Sequence, residues 1–549
     1  MKAFAFLYGA DLRSQAFQRI FSGGKSAFEL ALERVRLFPH WHKTVVLGRE
    51  GGFPEGFPGS QDLPASELVL KPRWTRRELL ETVSRLSQGC DLSYFAWADC
   101  PFLDPDLSAA LAVRHVQYAA EYSYADGWPY GFAPELLAPG LAGILAKIEG
   151  DEDNPVERDS IFAVVQKDIN SFDIETEISP VDLRSHRLHL AADSKRNLLL
   201  LSRFSDAAGM AGAAADGIPC AAAAAEIIET KPEILRTLPV FYPVQAARPC
   251  PQSCALCPYP ALGGARIDGP GDGTGEDFLE PGRFEGFLDR ITAFSGDGVI
   301  DLSLWGELAL HPRRMEFIRL VLERPQLALV IETSGVGWSA QDLEEAAALV
   351  PAPGPRPQGL SPLSWIVSLD TADPLRYREI RGPGFTEAVE CAKKLFSLFP
   401  GDSYVQAVRT EGAEDDIEKF YRGWKDLAPR GNANIIIQKY DDFCGRLQKK
   451  QASDISPVER QSCWHIMRDL PVLLDGTVPL CREELSALKG GGRMLGNIYR
   501  DSLETIWSRG EGYYAEHCKA ARQDMGSGTK KAVYPGPCAG CDEYYTYNF

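Results

Sequence analysis

Three cysteines in the middle of the chain have the spacing of a metal-binding loop. Cys250, Cys254 and Cys257 are separated by three and then two residues and follow an apolar run. Such thiolates could hold a [4Fe–4S] cluster, which usually takes four protein ligands, so that three would leave one iron open to a small chelating molecule. The same spacing would also suit a zinc site. This cysteine triplet therefore predicts a metal centre. The segments that follow it help to distinguish an iron–sulfur cluster from zinc.

Those segments predict a parallel sheet with polar residues at the ends of its strands. Residues 299–310 form an apolar run that reads as a buried strand ending at Gly306 and Glu307, and residues 327–331 lead into a Glu-Thr-Ser-Gly turn. A third run, 365–370, carries Ser368 and Asp370, and runs at 404–410 and 435–440 continue the series. Because helix-length segments separate these runs, we expect right-handed crossovers and a partial (β/α)6 barrel. Ligands then bind at the carboxyl ends of the strands.

The order of these motifs resembles that of radical S-adenosylmethionine (SAM) enzymes. In that family SAM chelates the open iron, an electron from the cluster cleaves its sulfonium, and a 5′-deoxyadenosyl radical takes hydrogen from the substrate. The turn at Gly306 is similar to the family's glycine-rich turn beside the SAM ammonium, with Trp305 in place of the first glycine, and the S-L-D and Y-x-x-I-R-G runs are similar to its fourth strand and following helix. The resemblance implies a SAM-binding cluster on the triplet and SAM contacts at Gly306, Glu307, Ser368 and Asp370.

A second group of cysteines lies near the carboxyl end. Cys463, Cys481, Cys538 and Cys541 are accompanied by a Leu-Gly-Asn-Ile run and an Ile-Trp pair, an arrangement similar to the SPASM extension of radical SAM enzymes. Four thiolates suffice for one auxiliary [4Fe–4S] cluster with no open iron, although a four-cysteine zinc ribbon has the same spacing. Cys444 and Cys518 could be further ligands, substrate-facing thiols or ordinary cysteines, and the sequence leaves this open.

The first two hundred residues predict a separate α/β unit. Strands are expected at 4–7, 44–47 and 92–97, alternating with helices at 27–37 and 75–87. Asp99 begins an Asp-Cys-Pro turn that resembles the metal-facing turn of cytidylyltransferase-type nucleotidyltransferases. The compact glycine-rich loop that cradles phosphates in that family is missing, since a long run separates Gly9 from Gly23 and Gly24. This departure favours a binding or scaffold role over active nucleotidyl transfer.

The expected organisation is a nucleotidyltransferase-like domain at 1–205, an Ala/Gly-rich helical or flexible linker at 206–235, the barrel at 236–445 and the SPASM region at 446–549. A glycine-rich stretch at 263–275 could be a lid or only a solvated insertion. The chain of 549 residues has a net charge of −18 and no apolar stretch of eighteen residues, which argues against nucleic-acid and membrane partners. Its 13 cysteines, concentrated in cluster-like groups, indicate a reducing compartment, the cytoplasm.

The fused organisation resembles the spiro-SPASM family of radical SAM proteins. That resemblance implies an enzyme that modifies a peptide, a protein or a nucleotide-activated sugar, with electrons from a donor such as flavodoxin or ferredoxin. Sulfatase-maturing relatives carry an aspartate base directly after the cysteine that corresponds to Cys481, where this chain has Arg482. A non-catalytic iron–sulfur or electron-transfer protein is the alternative, but it would need no SAM pocket.

Overall fold

The computed structural model describes residues 1–53, 66–210, 217–262, 277–351, 356, 359–457, 460–526 and 533–546. The chain divides into two compact units, Met1–Thr237 and Leu238–Phe549. Most of the segment expected to be a linker is helical and falls within the first unit, apart from residues 211–216, which lie outside the described part. The glycine-rich stretch 263–275 also lies outside it.

The first unit is built on a mixed seven-stranded sheet. Its strands are β1 Ala3–Gly9, β2 Trp41–Arg49, β3 Ser66–Lys71, β4 Leu92–Trp97, β5 Tyr122–Asp126, β6 Glu135–Leu137 and β7 Ile174–Ile178. They lie in the order β3-β2-β1-β4-β6-β5-β7, in which β6 is antiparallel to both of its neighbours and the other pairs are parallel. The predicted strands correspond to β1, β2 and β4, which are apolar along their whole length or in their buried part.

In the described part of this unit the α-helices are α1 Ala27–Val35, α2 Arg76–Leu86, α3 Pro105–Gln117, α4 Leu141–Glu149, α5 Ser160–Val165, α6 Lys195–Met210 and α7 Ala221–Thr230. Reciprocal capping boxes at Ser26 with Glu29 and at Thr75 with Glu78 fix where α1 and α2 begin. Both helices thereby start within one residue of the positions that the sequence predicts.

The second unit contains a six-stranded, fully parallel sheet. Its strands are β8 Phe241–Pro243, β9 Gly298–Asp301, β10 Leu327–Thr333, β11 Leu363–Ser368, β12 Ser403–Arg409 and β13 Ile435–Lys439, in sequential order across the sheet. The helices between them are α8 Pro281–Ser295, α9 Arg314–Leu322, α10 Ala340–Leu349, α11 Pro374–Ile380, α12 Phe385–Leu398 and α13 Glu414–Lys425. This arrangement confirms the α/β class with a half-barrel of parallel strands.

Alternate side chains of the strands divide between two apolar clusters. Leu329, Trp365 and Val405 belong to a large core that also contains helix residues such as Phe317 and Leu395. The neighbouring strand positions form a small cluster of their own, made of Val299, Ala328, Val330 and Ile366. Side chains alternate between the two faces of a strand, so one face of the sheet packs against the helices and the opposite face forms the small cluster.

The carboxyl-terminal region packs on the edge of this sheet. It contains α14 Trp464–Arg468, β14 Thr477–Pro479, β15 Met494–Asn497, α15 Leu503–Ser508 and α16 Glu511–Gly526, with β14 and β15 antiparallel. Backbone bonds from Leu470 and Val472 to β8 carbonyls cover the exposed edge of the sheet.

The segment 299–310 differs from its prediction as one buried strand. The strand β9 ends at Asp301, and Leu308–Leu310 form a 3-10 turn. Trp305 and Gly306 have φ angles of 46° and 118°, which no strand accommodates. Among the described residues, no helix is both long and apolar enough to cross a membrane.

Candidate functional site

A cavity of about 290 Å³ lies at the carboxyl ends of the parallel strands and is called the central cavity below. Its lining includes the whole cysteine triplet and all four residues expected to contact SAM: Gly306, Glu307, Ser368 and Asp370. The parallel sheet explains this convergence, because each of these residues follows or ends a strand at the same edge. The structure therefore brings together the residues that the sequence singled out.

The loop that carries the triplet is held by the end of helix α11. The backbone N–H groups of Ser253 and Ala255 donate to the carbonyl oxygens of Arg381 and Ile380, at 3.1 and 2.7 Å. The Arg381 Nε donates to Gln252 Oε1 at 3.2 Å. The Y-x-x-I-R-G run thus has a local task, which is to support the cysteine loop.

Asp370 forms a buried ion pair with Arg381, the residue that supports the cysteine loop. Its Oδ2 accepts from Arg381 at 2.6 Å, and its Oδ1 accepts from the Val408 N–H at 2.9 Å. The Asp370 side chain is 2% exposed, so water hardly screens the pair. Ser368, two residues earlier, donates its hydroxyl to Glu332 at 2.8 Å.

Gly306 is required by the chain's own packing. At φ 118°, a Cβ on this residue would lie 1.9 Å from the Ala247 carbonyl oxygen, closer than any nonbonded contact allows. The neighbouring Trp305 carbonyl accepts from Gln245 Nε2 at 3.0 Å, which fixes the turn.

Glu307 is buried among hydrogen-bond donors. Its carboxylate accepts from Thr333 Oγ1 at 2.8 Å, from the Ser334 N–H and Oγ at 2.8 and 2.7 Å, and from the Ala309 N–H at 3.2 Å. Burial raises the pKa of Glu307 while these bonds oppose the rise. These four donors already fill the roughly four acceptor positions that a carboxylate offers, so a ligand ammonium at Glu307 would have to share an acceptor position with one of them.

The triplet supplies three thiol ligands, a donor set that fits an iron–sulfur cluster with one open iron and also fits a zinc ion. The central cavity adjoins the triplet, and burial raises the pKa of the Cys250 and Cys257 thiols to about 12. Such thiols become strong ligands once a cation lowers their pKa.

The four carboxyl-terminal cysteines also converge, and a fifth joins them. Cys463, Cys481, Cys538 and Cys541 line one small cavity of about 20 Å³ together with Cys444. The Cys444 and Cys541 side chains are hydrogen-bonded. Cys518 is fully buried in the apolar core instead. This group of five is called the second cysteine site. Its donor set suits a cube or, after closer approach, zinc.

The central cavity and the second cysteine site share a wall. Arg482 and His465 line both. The loop at 441–444 also reaches both, because Phe443 lines the central cavity and Cys444 lines the second cysteine site. Sequence spacing gave no signal for this wall, since its members come from three separate segments.

Several lining residues escaped the sequence analysis. Glu332 follows the apolar part of β10, and its Oε1 also accepts from Gln406 Nε2 at 2.7 Å. Asp301 ends β9, and Asp441 follows β13 by two residues. The one available signal was their position at strand ends, the same signal that identified Ser368 and Asp370.

In the first unit, Asp99 is held by an arginine. Its two carboxylate oxygens accept from Arg158 at 3.0 and 2.6 Å, and the side chain is 2% exposed. The guanidinium also lies over the Trp97 ring, 4.4 Å from its centroid. A metal ion at Asp99 would have to displace this guanidinium.

Comparison with known proteins identifies a relative that aligns with most of the chain. An uncharacterized protein of Treponema pallidum (strain Nichols) is 33% identical over 401 residues, which span 71% of this chain and 98% of that protein. The chain belongs to the same family as that protein. No protein-family model matches the chain.

Solved structures show weaker similarity. The match to a cytidylyltransferase from Leptospira borgpetersenii serovar Hardjo-bovis (strain JB197) covers 42% of this chain and 95% of that protein's chain, with 14% identity and a TM-score of 0.34. Streptococcus suis SuiB bound to precursor peptide SuiA covers 59% and 74%, with 13% identity and a TM-score of 0.38. Native anSMEcpe with bound AdoMet covers 55% and 94%, with 12% identity and a TM-score of 0.37. These similarities concern the fold.

Proposed function

We propose that this protein is a radical SAM enzyme. The observation that supports the proposal is the convergence of the cysteine triplet with Gly306, Glu307, Ser368 and Asp370 on one cavity at the ends of parallel strands. An iron–sulfur protein that only carries electrons has no use for a cavity of about 290 Å³ beside its cysteines. The triplet would hold a [4Fe–4S] cluster with one open iron.

In this proposal the residues at the strand ends bind SAM beside the cluster. The bound cluster and SAM would supply a 5′-deoxyadenosyl radical for hydrogen abstraction from the substrate. Glu307 would accept a hydrogen bond from the SAM ammonium, and Gly306 would keep the turn beside it. Ser368 and Asp370 would border SAM, with Asp370 oriented by Arg381. An electron donor such as flavodoxin or ferredoxin would reduce the cluster in the cytoplasm, and the substrate would be a peptide, a protein or a nucleotide-activated sugar.

The second cysteine site would hold one auxiliary [4Fe–4S] cluster on Cys463, Cys481, Cys538 and Cys541. The first unit would serve as a binding or scaffold domain, a role that the pairing of Asp99 with Arg158 favours over metal-dependent nucleotidyl transfer.

Anaerobic reconstitution with iron and sulfide tests the central proposal. The wild type should convert SAM to 5′-deoxyadenosine under reducing conditions, as measured by mass spectrometry, and a triple Cys250→Ala, Cys254→Ala, Cys257→Ala variant should not. Cys391→Ala is the matched control, because Cys391 is a buried core cysteine of the same unit that does not line the cavity. Equal 5′-deoxyadenosine from the wild type and the triple variant would refute the assignment.

A further inference from the structure

The positively charged side chains that line the central cavity all have carboxylate partners within the protein. Arg381 pairs with Asp370 at 2.6 Å and Arg468 with Asp469 at 2.8 Å. The remaining pairs are His465 with Asp469 at 2.6 Å, Lys439 with Asp542 at 2.9 Å and with Glu543, and Arg482 with Glu483 at 3.2 Å and Glu543 at 3.3 Å. Among the described lining residues, every basic side chain thus already lies within ion-pair distance of a carboxylate.

Two carboxylates of the same lining keep an oxygen without a hydrogen bond. No donor in the described part of the chain reaches Asp301 Oδ1 or Asp441 Oδ2, although both atoms are buried. The nearest cation to Asp441 Oδ2 is Arg482 at 3.8 Å, too far for a hydrogen bond. Burial raises the pKa of Asp301 to about 7, although hydrogen bonds from Ser303 and the charge of Arg482 oppose the rise. Leaving a buried acceptor unbonded costs about 1–3 kcal/mol, so a ligand that donates to it gains affinity.

Aromatic rings border these two carboxylates along the chain. Tyr259 stacks on Trp305 with ring centroids 5.9 Å apart, and Trp305 contacts Phe443 at 5.8 Å. Trp305 lies four residues after Asp301, and Phe443 lies two residues after Asp441. All three rings line the central cavity. Ring faces attract cations and do not attract phosphate.

We propose that the cavity wall formed by Asp301, Asp441 and the aromatic row binds a positively charged nitrogen group of the substrate, supplied by a lysine or arginine side chain of a peptide. The inference rests on the proposed function and narrows its substrate. A nucleotide-activated sugar carries a pyrophosphate, which would need unpaired cations and would face unbonded carboxylates instead. The acceptor-rich wall therefore favours a basic peptide over a nucleotide-activated sugar.

Binding to the anaerobically reconstituted, full-length protein tests the inference. The probes are two dye-labelled pentapeptides that differ only in a central lysine or glutamate, followed by fluorescence anisotropy. Glucosamine and UDP-glucose serve as unlabelled competitors. The variants are Asp301→Asn and Asp441→Asn, and the control is Asp415→Asn, an exposed residue at the start of α13. Equilibrium dialysis measures SAM binding by each protein.

We expect the lysine peptide to bind at least about tenfold more tightly than the glutamate peptide, and each cavity variant to remove most of that preference, as for a desolvated charge pair. Asp415→Asn should keep it, and SAM binding should stay unchanged in all variants. Absence of a lysine preference, displacement by UDP-glucose, or loss of SAM binding in Asp301→Asn would overturn the inference. Unlabelled lysine peptide is a further competitor. If glucosamine displaces the labelled peptide as well as the unlabelled lysine peptide does, the wall binds small amines in general, and the proposal of a peptide substrate is refuted. Failure of the wild type to cleave SAM would refute the proposed function alone, because the peptide preference is measured without turnover.

Discussion

At the scale of single residues, Gly306 shows how a motif residue can be required for a reason other than its ligand. The resemblance to radical SAM enzymes implies a glycine there because the turn lies beside the SAM ammonium. The structure gives a nearer reason, since the Ala247 carbonyl occupies the space that a Cβ would need. The turn is therefore built before any ligand arrives.

Replacement of this glycine tests that view. Gly306→Ala should lower the free energy of unfolding of the second unit by more than about 2 kcal/mol, because it adds a backbone clash to a positive φ. It should also reduce iron retention by the triplet. Urea unfolding and iron analysis provide the two measurements.

Gly286→Ala is the matched control for this substitution. Gly286 is exposed in the interior of α8, and a Cβ there meets nothing within 4 Å. Alanine at a helical site should stabilise the unit by about 0.5–1 kcal/mol. Similar destabilisation by both substitutions would contradict the steric explanation.

At the scale of elements, helix α11 connects the fourth strand of the half-barrel with the cysteine loop. Arg381 stands at its end, pairs with Asp370 on one side and reaches Gln252 on the other. The Arg381 side chain is 13% exposed. This buried pair fixes the loop more firmly than a surface pair could.

Arg381→Gln should therefore release the loop. Loss of one partner of a buried pair costs about 3–5 kcal/mol, and we expect iron on the triplet to pass to a chelator several-fold faster than in the wild type, as followed by absorbance. Arg376→Gln on the same helix removes largely exposed pairs with Glu379 at 2.9 Å and Asp416 at 3.4 Å, each worth less than about 1 kcal/mol. Equal release rates for the two variants would rule out the support role of Arg381.

The elements themselves were largely predictable, and the turns between them were not. Apolar runs and helical patterns predicted β1, β10, β11, α1 and α2 to within a few residues, because hydrophobic periodicity is a local signal. The segment after β9 was predicted as strand, since its apolar residues are buried whether the backbone is extended or turned. Only the φ angles of Trp305 and Gly306 distinguish the two.

The same limit applied to the site. Residues at strand ends such as Ser368 and Asp370 could be predicted to meet, because parallel strands end at one edge. Cys444 could not be placed with the later cysteines, since nothing in its own segment specifies which distant loop it contacts. Spacing patterns describe neighbours in the chain and carry little information on contacts made by long-range packing.

At the scale of the whole molecule, the two cysteine sites lie in one compact unit. The second site joins residues from segments more than fifty positions apart, so metal binding and folding of this region should be coupled. The first site draws its ligands from one loop and does not depend on that coupling.

Metal content distinguishes the two sites. Two cubes predict about eight irons per wild-type chain. Cys481→Ala should lower the content to about four, increase proteolysis of the carboxyl-terminal region and leave SAM cleavage in place. Cys444→Ala should retain about eight, because four thiolates already saturate a cube. Iron and zinc analysis with Mössbauer spectra measures this.

About four irons with one zinc in the wild type would show that the second site is a zinc ribbon. Loss of about four irons in Cys444→Ala would show that Cys444 is a ligand, in place of one of the four proposed.

The loop at 441–444 contributes residues to both the central cavity and the second cysteine site. Phe443 and Cys444 are consecutive, and both have left-handed backbone angles, with φ of 52° and 57°, a conformation that non-glycine residues rarely adopt. Because the two residues share a peptide bond, a ligand that shifts the backbone at Phe443 would also move the Cys444 thiol. We therefore expect binding in the central cavity to change the geometry of the second cysteine site whenever it moves this backbone.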